Sequence, residues 1–218
     1  MQKQKGQRIR LFVSLNQALL LLLIIPFTNC DKETPSNPEK LISYLAKPSL
    51  AMYGDSIVAS WPVEEQLSDF NAVKFAFPGI DTSEILSSVQ NDKNRYNSCL
   101  YEGGINDFLG NYSPSQSQVD ATVDRQIQSI QILLTRCEHV VALNLWNIQF
   151  PWPTLAVAMI TAEMKKKITF VPRIDTELLI QDDMLSDGNH PNKNGYYVLS
   201  KAVREQLQPF FPILFLNE

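Results

Sequence analysis

Short apolar runs alternate with stretches of helical periodicity along most of the chain. The runs are bounded by Gly, Pro, Asn or Asp and predict strands at 50–53, 72–77, 98–101, 140–145 and 168–171. Between them, the spacing of apolar residues predicts helices at 81–89, 117–136, 154–167 and a closing stretch around 196–207. Strands that alternate with helices indicate a parallel sheet covered on both faces. We therefore predict an α/β fold, a three-layer α/β/α sandwich around a parallel, flavodoxin-like sheet of about five strands.

The N-terminus has the pattern of an export signal. Basic residues precede an apolar run at 18–27, which is shorter than the roughly 20 residues of a bilayer span. The run leads to FTNC at 27–30, which is similar to a bacterial lipobox, where the cysteine is lipidated and becomes the first mature residue. We predict a lipoprotein-type signal peptide over 1–29 and a lipid on Cys30. An uncleaved anchor and ordinary secretion are the alternatives, and each of them exports the domain.

Residues 30–46 are predicted to be a lipid-anchored tether and lead-in to the domain. The segment 31–40 is polar, contains two prolines and offers little that could pack in a core. The folded domain is predicted over 47–218. The net charge is −4 and the folded part has no basic tract, which argues against a nucleic-acid partner. The predicted location is the periplasmic or cell-surface side of a membrane.

Candidate chemistry lies in four short blocks. They are GDS at 54–56, FPG at 77–79, GGIND at 103–107 and DGNHP at 187–191. The first three follow predicted strands, and open α/β sheets bind ligands beyond the carboxyl ends of their strands. Ser56 would also begin a helix there, where its backbone N–H can support negative charge.

A serine hydroxyl is a poor nucleophile until a base takes its proton, and the chain offers two histidines as the base. His139 adjoins an apolar strand without a paired motif and is interpreted as a structural or surface residue. His190 has Asp187 three residues before it, a spacing that can place a carboxylate on one ring nitrogen and leave the other for a serine. We predict the triad Ser56, His190 and Asp187. No second histidine or cysteine joins them at metal-site spacing, so neither a metal nor a cofactor is predicted.

The four blocks, in this order, resemble those of the GDSL/SGNH hydrolase family, whose name lists its Ser, Gly, Asn and His. The resemblance runs from about 50 to 207 and is most specific over 187–199. It implies the SGNH hydrolase fold for the domain. It further implies an oxyanion hole made of the backbone N–H groups of Ser56 and Gly79 and the side-chain amide of Asn106. A glycine permits close backbone approach, and an asparagine offers two donors without charge.

The remaining acidic residues of the blocks, Asp55 and Asp107, are assigned to loop and helix-start structure. Once Cys30 is lipidated, Cys99 and Cys137 remain as an even pair in an exported protein. The family's sheet makes their strands neighbours, which allows a disulfide away from the active site. Two small buried hydrophobic residues are the alternative.

Three tryptophans are candidates for lining the substrate site, because they follow predicted strand ends or lie in the loop after the fourth strand. They are Trp61, Trp146 and Trp152. Aromatic rings there suit an acyl chain or a sugar ring equally well. For Trp146, packing in the core is the alternative.

The resemblance implies an exported serine esterase that hydrolyses carboxylic esters, with short acyl or acetyl groups, through an acyl-enzyme on Ser56. Its substrate would be a small-molecule or glycan ester, and its membrane contact would be the N-terminal lipid. One alternative is an acyltransferase that uses the same site on cell-envelope glycans. The other is a non-catalytic anchored binding protein on the hydrolase scaffold, because a fold alone does not determine function.

Overall fold

The computed structural model describes residues 47–211. The predictions for the signal peptide, Cys30, the tether and the end of the domain at 212–218 lie outside the described residues. Within the described part, no helix has the length and apolar character that a bilayer span requires.

Five parallel strands form a single sheet in the order β2-β1-β3-β4-β5. The strands are β1 (Ser49–Gly54), β2 (Asn71–Ala76), β3 (Tyr96–Tyr101), β4 (Cys137–Leu143) and β5 (Arg173–Ile174). The order and direction confirm the predicted flavodoxin-like sheet. Strand β1, between β2 and β3, is buried along almost its whole length, as expected of a parallel strand covered on both faces.

Six α-helices surround the sheet in the described residues. They are α1 (Ser56–Ala59), α2 (Val63–Gln66), α3 (Thr82–Asn91), α4 (Gln116–Leu133), α5 (Thr154–Lys167) and α6 (Lys193–Leu207). Helix α4 packs between α3 and α5, while α2 packs against α6. The contacts thus divide these helices into two groups, with α3, α4 and α5 in one and α2 and α6 in the other. The right-handed crossover rule for parallel strands assigns the two groups to opposite faces of the sheet. The predicted three-layer sandwich is confirmed.

The helix starts agree with local sequence signals. Asp81 accepts hydrogen bonds from the N–H groups of Ser83 and Glu84, and the Glu84 side chain accepts the N–H of Asp81. This is the capping box that the sequence indicates at the start of α3. Helix α5 has the predicted bounds.

The fifth strand differs from the prediction, which placed it at 168–171. Ile168 instead ends α5, donating its N–H to Met164 over 2.8 Å, and its side chain is buried. The apolar character of this stretch therefore comes from a helix end that packs on the core. Strand β5 begins at Arg173 and pairs with Ala142 and Leu143 of β4.

A disulfide joins β3 to β4 between Cys99 and Cys137, whose Cα atoms are 5.9 Å apart. Cys137 is the first residue of β4, so the bridge lies away from the carboxyl ends of the strands. His139, two residues further on, stacks on Phe210 with ring centroids 3.7 Å apart. This second histidine therefore has a packing role at the amino end of the sheet.

Candidate active site

The turn after β1 presents Ser56 at the carboxyl edge of the sheet. A Cβ at Gly54 would lie 2.5 Å from Cγ2 of Val58, so only glycine fits between the strand and α1. Asp55 caps α1, because its Oδ1 accepts the N–H of Ile57 over 3.0 Å. The Tyr196 hydroxyl of α6 donates to the Ile57 carbonyl over 2.9 Å and ties the closing helix to this turn.

The predicted triad is brought together in a hydrogen-bonded chain. Ser56 Oγ lies 2.9 Å from His190 Nε2, and His190 Nδ1 lies 2.7 Å from Asp187 Oδ2. An ionised Asp187 accepts a hydrogen bond from the Nδ1–H group of His190. This tautomer leaves Nε2 without a proton and able to take the proton of the serine hydroxyl. The chain thus has the geometry of an activated serine nucleophile.

Asp187 holds its own loop as well as the imidazole. Its Oδ1 accepts the N–H groups of Asn189 and His190 over 3.0 and 2.8 Å. Partial burial raises the pKa of the Asp187 carboxyl, but the donors from His190 and Asn189 outweigh burial and place the pKa below its ordinary value. The carboxylate is therefore ionised at neutral pH, as an acceptor for the imidazole must be.

Two indole groups fix the histidine loop from the β4–α5 connection. Trp146 donates its Nε1–H to the Asn189 carbonyl over 2.9 Å, and Trp152 donates its own to the Asp187 carbonyl over 3.0 Å. The Trp152 ring also meets the His190 ring edge to face, with centroids 5.4 Å apart. The tryptophans therefore hold the triad histidine and its carboxylate in place.

Two of the three tryptophans predicted to bind substrate are core residues, and that prediction is wrong for them. Trp61 is 1% exposed and donates its Nε1–H to Ser200, while Trp146 is fully buried. Neither ring has a free face for a ligand. Trp152 is partly exposed beside His190, and it remains a candidate for substrate contact.

Asn106 connects the serine turn to the loop after β2. Its Nδ2 donates to Asp55 Oδ2 over 3.2 Å and to the Ile80 carbonyl over 2.9 Å. Both amide hydrogens thus have acceptors in the resting structure, and an oxyanion would have to share or replace one of them. The contacts bring Asn106 together with the residues beside Ser56 and Gly79.

Gly79 lies in an exposed turn with φ +84°. A Cβ there would meet nothing within 4 Å, so the structural need for glycine is the left-handed backbone and not the close approach expected from the sequence. The turn leads through Ile80 to the capping residue of α3.

Asp107 has a wider role than the helix start expected for it. Its carboxylate accepts the N–H and hydroxyl of Thr82, the Thr122 hydroxyl and the Arg125 guanidinium. These partners belong to α3 and α4, so one buried carboxylate joins both helices to the 3₁₀ turn Asn106–Phe108. Asp107 thereby fixes the turn that carries Asn106.

The sequence interpretation missed Glu102, the residue that directly follows β3. Its side chain is fully buried behind the serine turn, next to the Asp55 carboxyl. Nothing in its sequence position distinguishes it from an exposed glutamate at a strand end.

Within residues 47–211, no group of three or more His, Cys, Asp and Glu side chains is placed to hold a metal ion.

Known proteins share this fold at low sequence identity. No family model and no curated protein matches the sequence. A GDSL-like lipase from Bacteroides thetaiotaomicron matches with a TM-score of 0.63 and 13% identity, over 76% of this chain and 90% of the lipase. A member of the lipolytic G-D-S-L family from Veillonella parvula matches with a TM-score of 0.58 and 16% identity, over 72% of this chain and 96% of that one.

An acetylxylan esterase from Geobacillus stearothermophilus matches with a TM-score of 0.59 and 14% identity. The match covers 73% of this chain and 94% of the esterase. At such identities the similarity concerns the fold, and the site must be judged on its own geometry. The described domain has the fold of the GDSL hydrolases.

Proposed function

We propose that the protein is an exported serine esterase that hydrolyses carboxylic esters through an acyl-enzyme on Ser56. The observation that carries this proposal is the hydrogen-bonded chain from Ser56 Oγ through His190 to Asp187. Two further facts support it: the fold is shared with a GDSL-like lipase and an acetylxylan esterase, and Ser56 lies beyond the carboxyl end of β1, where open α/β sheets bind ligands.

In the first step, Ser56 Oγ attacks the ester carbonyl carbon and its proton passes to His190 Nε2. The carbonyl oxygen becomes negatively charged, and the N–H groups of Ser56 and Gly79 and the amide of Asn106 are proposed to stabilise it. When the carbon–oxygen bond to the alcohol breaks, the imidazolium gives its proton to the leaving oxygen. Asp187 stabilises the positive ring throughout.

In the second step, a water molecule attacks the acyl-enzyme and gives a proton to His190. The acid product leaves, and the proton returns to Ser56 Oγ. We propose short acyl groups, acetyl among them, on small-molecule or glycan alcohols. Support comes from the acetylxylan esterase of the same fold and from Trp152, a partly exposed ring beside His190 that could contact a sugar.

A fluorophosphonate probe tests the nucleophile, because it reacts with activated hydroxyls and not with merely exposed ones. We expect Ser56 alone to be labelled, and His190→Ala to abolish the labelling. His139→Ala is the matched control, since that ring packs on Phe210 at the other end of the sheet. Mass spectrometry of the labelled peptide identifies the site.

Acyl esters of increasing chain length and acetylated sugars, offered with and without a sugar acceptor, then identify the reaction. Release of free acid from short esters supports hydrolysis. Product that forms only with the acceptor would indicate the acyltransferase. A folded protein that resists the probe and cleaves no ester would be the non-catalytic binding protein instead.

A further inference from the structure

Glu102 is a buried carboxylic acid for which the proposed reaction has no use. It follows β3 directly and donates its backbone N–H to the Tyr53 carbonyl over 3.0 Å. Its Oε2 lies 2.9 Å from the place that a Cβ on Gly54 would occupy, so the carboxyl packs against the serine turn. Among the described residues, no N–H or hydroxyl group meets the distance and angle of a hydrogen bond to either of its carboxyl oxygens.

The neighbouring Asp55 carboxyl is equally buried but has donors. Its Oδ1 accepts the Ile57 N–H over 3.0 Å, and its Oδ2 accepts the Asn106 amide over 3.2 Å. The Glu102 carboxyl lies against the Asp55 carboxyl and the Asp55 backbone N–H. Two carboxyl groups can hydrogen bond to each other only when one of them carries a proton.

Burial and contact decide which of the two is protonated. Burial raises the pKa of Glu102 well above its ordinary value, and the negative charge of Asp55 raises it further. Burial also raises the pKa of Asp55 above its ordinary value, but the Ile57 N–H and the Glu102 hydroxyl bond the ionised form and make this rise smaller. The Asp55 N–H lowers the pKa of Glu102, but burial and the Asp55 charge outweigh it. Asp55, which has the Ile57 and Asn106 donors, therefore keeps the charge. Glu102 keeps the proton.

The surrounding charges do not reverse this assignment. Asp107, from the 3₁₀ turn, and His190, from the loop before α6, act on Asp55. The phenols of Tyr101 on β3 and Tyr196 on α6 lie near Glu102 and are neutral. None of the ion pairs among the described residues includes Asp55 or Glu102, so neither carboxyl has a lysine or arginine partner to stabilise a second negative charge.

We propose that Glu102 is a positioning residue that stays protonated at neutral pH and donates its proton to Asp55. This hydrogen bond fixes the Asp55 carboxylate, which in turn orients the Asn106 amide and the start of α1. The effect on catalysis rests on the esterase function proposed above. The buried proton is a property of the folded domain alone, and it can be measured without a substrate.

The direct test compares the wild-type protein with Glu102→Gln, which has the same shape and an amide donor but no proton to lose. Infrared spectra at neutral pH should show the carbonyl band of a neutral carboxylic acid in the wild type, and this band should be missing in Glu102→Gln. Unfolding the wild type at neutral pH should release one proton, because an exposed glutamate ionises there. A wild type without the band and without proton release overturns the proposal, whether or not the variant folds.

Activity gives the second test. Glu102→Leu removes the donor at similar volume and should lower kcat about 10- to 100-fold, the effect of losing one hydrogen bond to a charged group, with little change in KM. Glu102→Gln should restore most of the activity, which a merely space-filling role would not predict. Equal losses in both variants contradict the positioning role. A wild type that holds the proton but cleaves no ester would refute the esterase function, while the proposal that Glu102 is protonated would stand.

Discussion

Asn106 gives the clearest view of how single residues set up the site. Its two amide hydrogens bond to the Asp55 carboxylate and the Ile80 carbonyl, so the side chain is fixed before any substrate arrives. A donor held in one orientation needs little movement when charge develops, and an oxyanion would share or replace one of these two acceptors. In the proposed reaction, the Asn106 amide would bond the negative oxygen of the transition state more strongly than the neutral carbonyl of the ester.

Replacing Asn106 with alanine should therefore lower kcat by about 10²–10³, the usual effect of losing one oxyanion donor. KM should change less, because the bond strengthens only when the oxygen becomes charged. Steady-state kinetics with a short acyl ester measures both values. Asn94→Ala is the control, an exposed asparagine just before β3 at the amino end of the sheet, and it should leave both values unchanged. A larger effect on KM than on kcat would assign Asn106 to ground-state binding.

Residues could be predicted where chemistry restricts the choice. One of the two histidines has an aspartate at triad spacing, and in the structure His190 contacts Ser56 through Nε2 and Asp187 through Nδ1. Glu102 could not be recognised, because its burial depends on where Gly54 brings β1 against it. The prediction that Trp61 and Trp146 line the substrate site failed for a related reason. A position after a strand does not reveal whether the ring points into the core, as the Trp61 ring does.

At the scale of elements, the site depends on how α3, α4 and the 3₁₀ turn Asn106–Phe108 are joined. The Asp107 side chain, which is 4% exposed, connects them through its carboxylate. Its charged partner is Arg125, whose guanidinium lies 2.7 Å from the carboxylate. Arg125 also donates its Nε–H to Thr82 Oγ1 over 2.8 Å. One guanidinium thus serves two acceptors on different elements, which its planar fork allows.

Arg125→Ala should lower the free energy of unfolding by about 1–3 kcal/mol, because it leaves a buried carboxylate with neutral donors only. Arg125→Lys should recover part of this loss, since lysine restores the charge but not the second donor. Urea denaturation measures the changes. Lys201→Ala is the matched control: its ion pair with Glu205 is exposed and 3.9 Å long, and its loss should cost less than about 1 kcal/mol. Equal effects of Arg125→Ala and Lys201→Ala would mean that the buried ion pair between Arg125 and Asp107 adds nothing to the free energy of unfolding.

The elements themselves were predictable where a capping box was present, as in α3, or where the helical stretch was long, as in α5. The fifth strand was misplaced because an apolar run at a helix end resembles a short buried strand. Ile168 is buried by packing below α5, and the two residues of β5 are too few to produce a pattern of their own.

The whole molecule is proposed to be tethered to a membrane through Cys30, on the evidence of the basic start, the short apolar run and the lipobox-like FTNC. Cys30→Ala should move the protein from the membrane fraction to the soluble fraction, or leave its precursor unprocessed. Ser36→Ala, in the same polar segment, should change nothing. Intact mass of the purified protein measures both the mature N-terminus and the lipid. A mature end at another residue, with no lipid on Cys30, would contradict the anchor.

The direction of β1 has a consequence for what such a protein could reach. Lys47 adjoins the amino end of this strand and Ser56 follows its carboxyl end, and six residues of strand span about 20 Å. A tether that joins the domain at residue 47 would therefore be attached at the end of the sheet opposite Ser56. Such an attachment leaves the end that carries the serine unobstructed, so a substrate can approach Ser56 whichever way the domain turns.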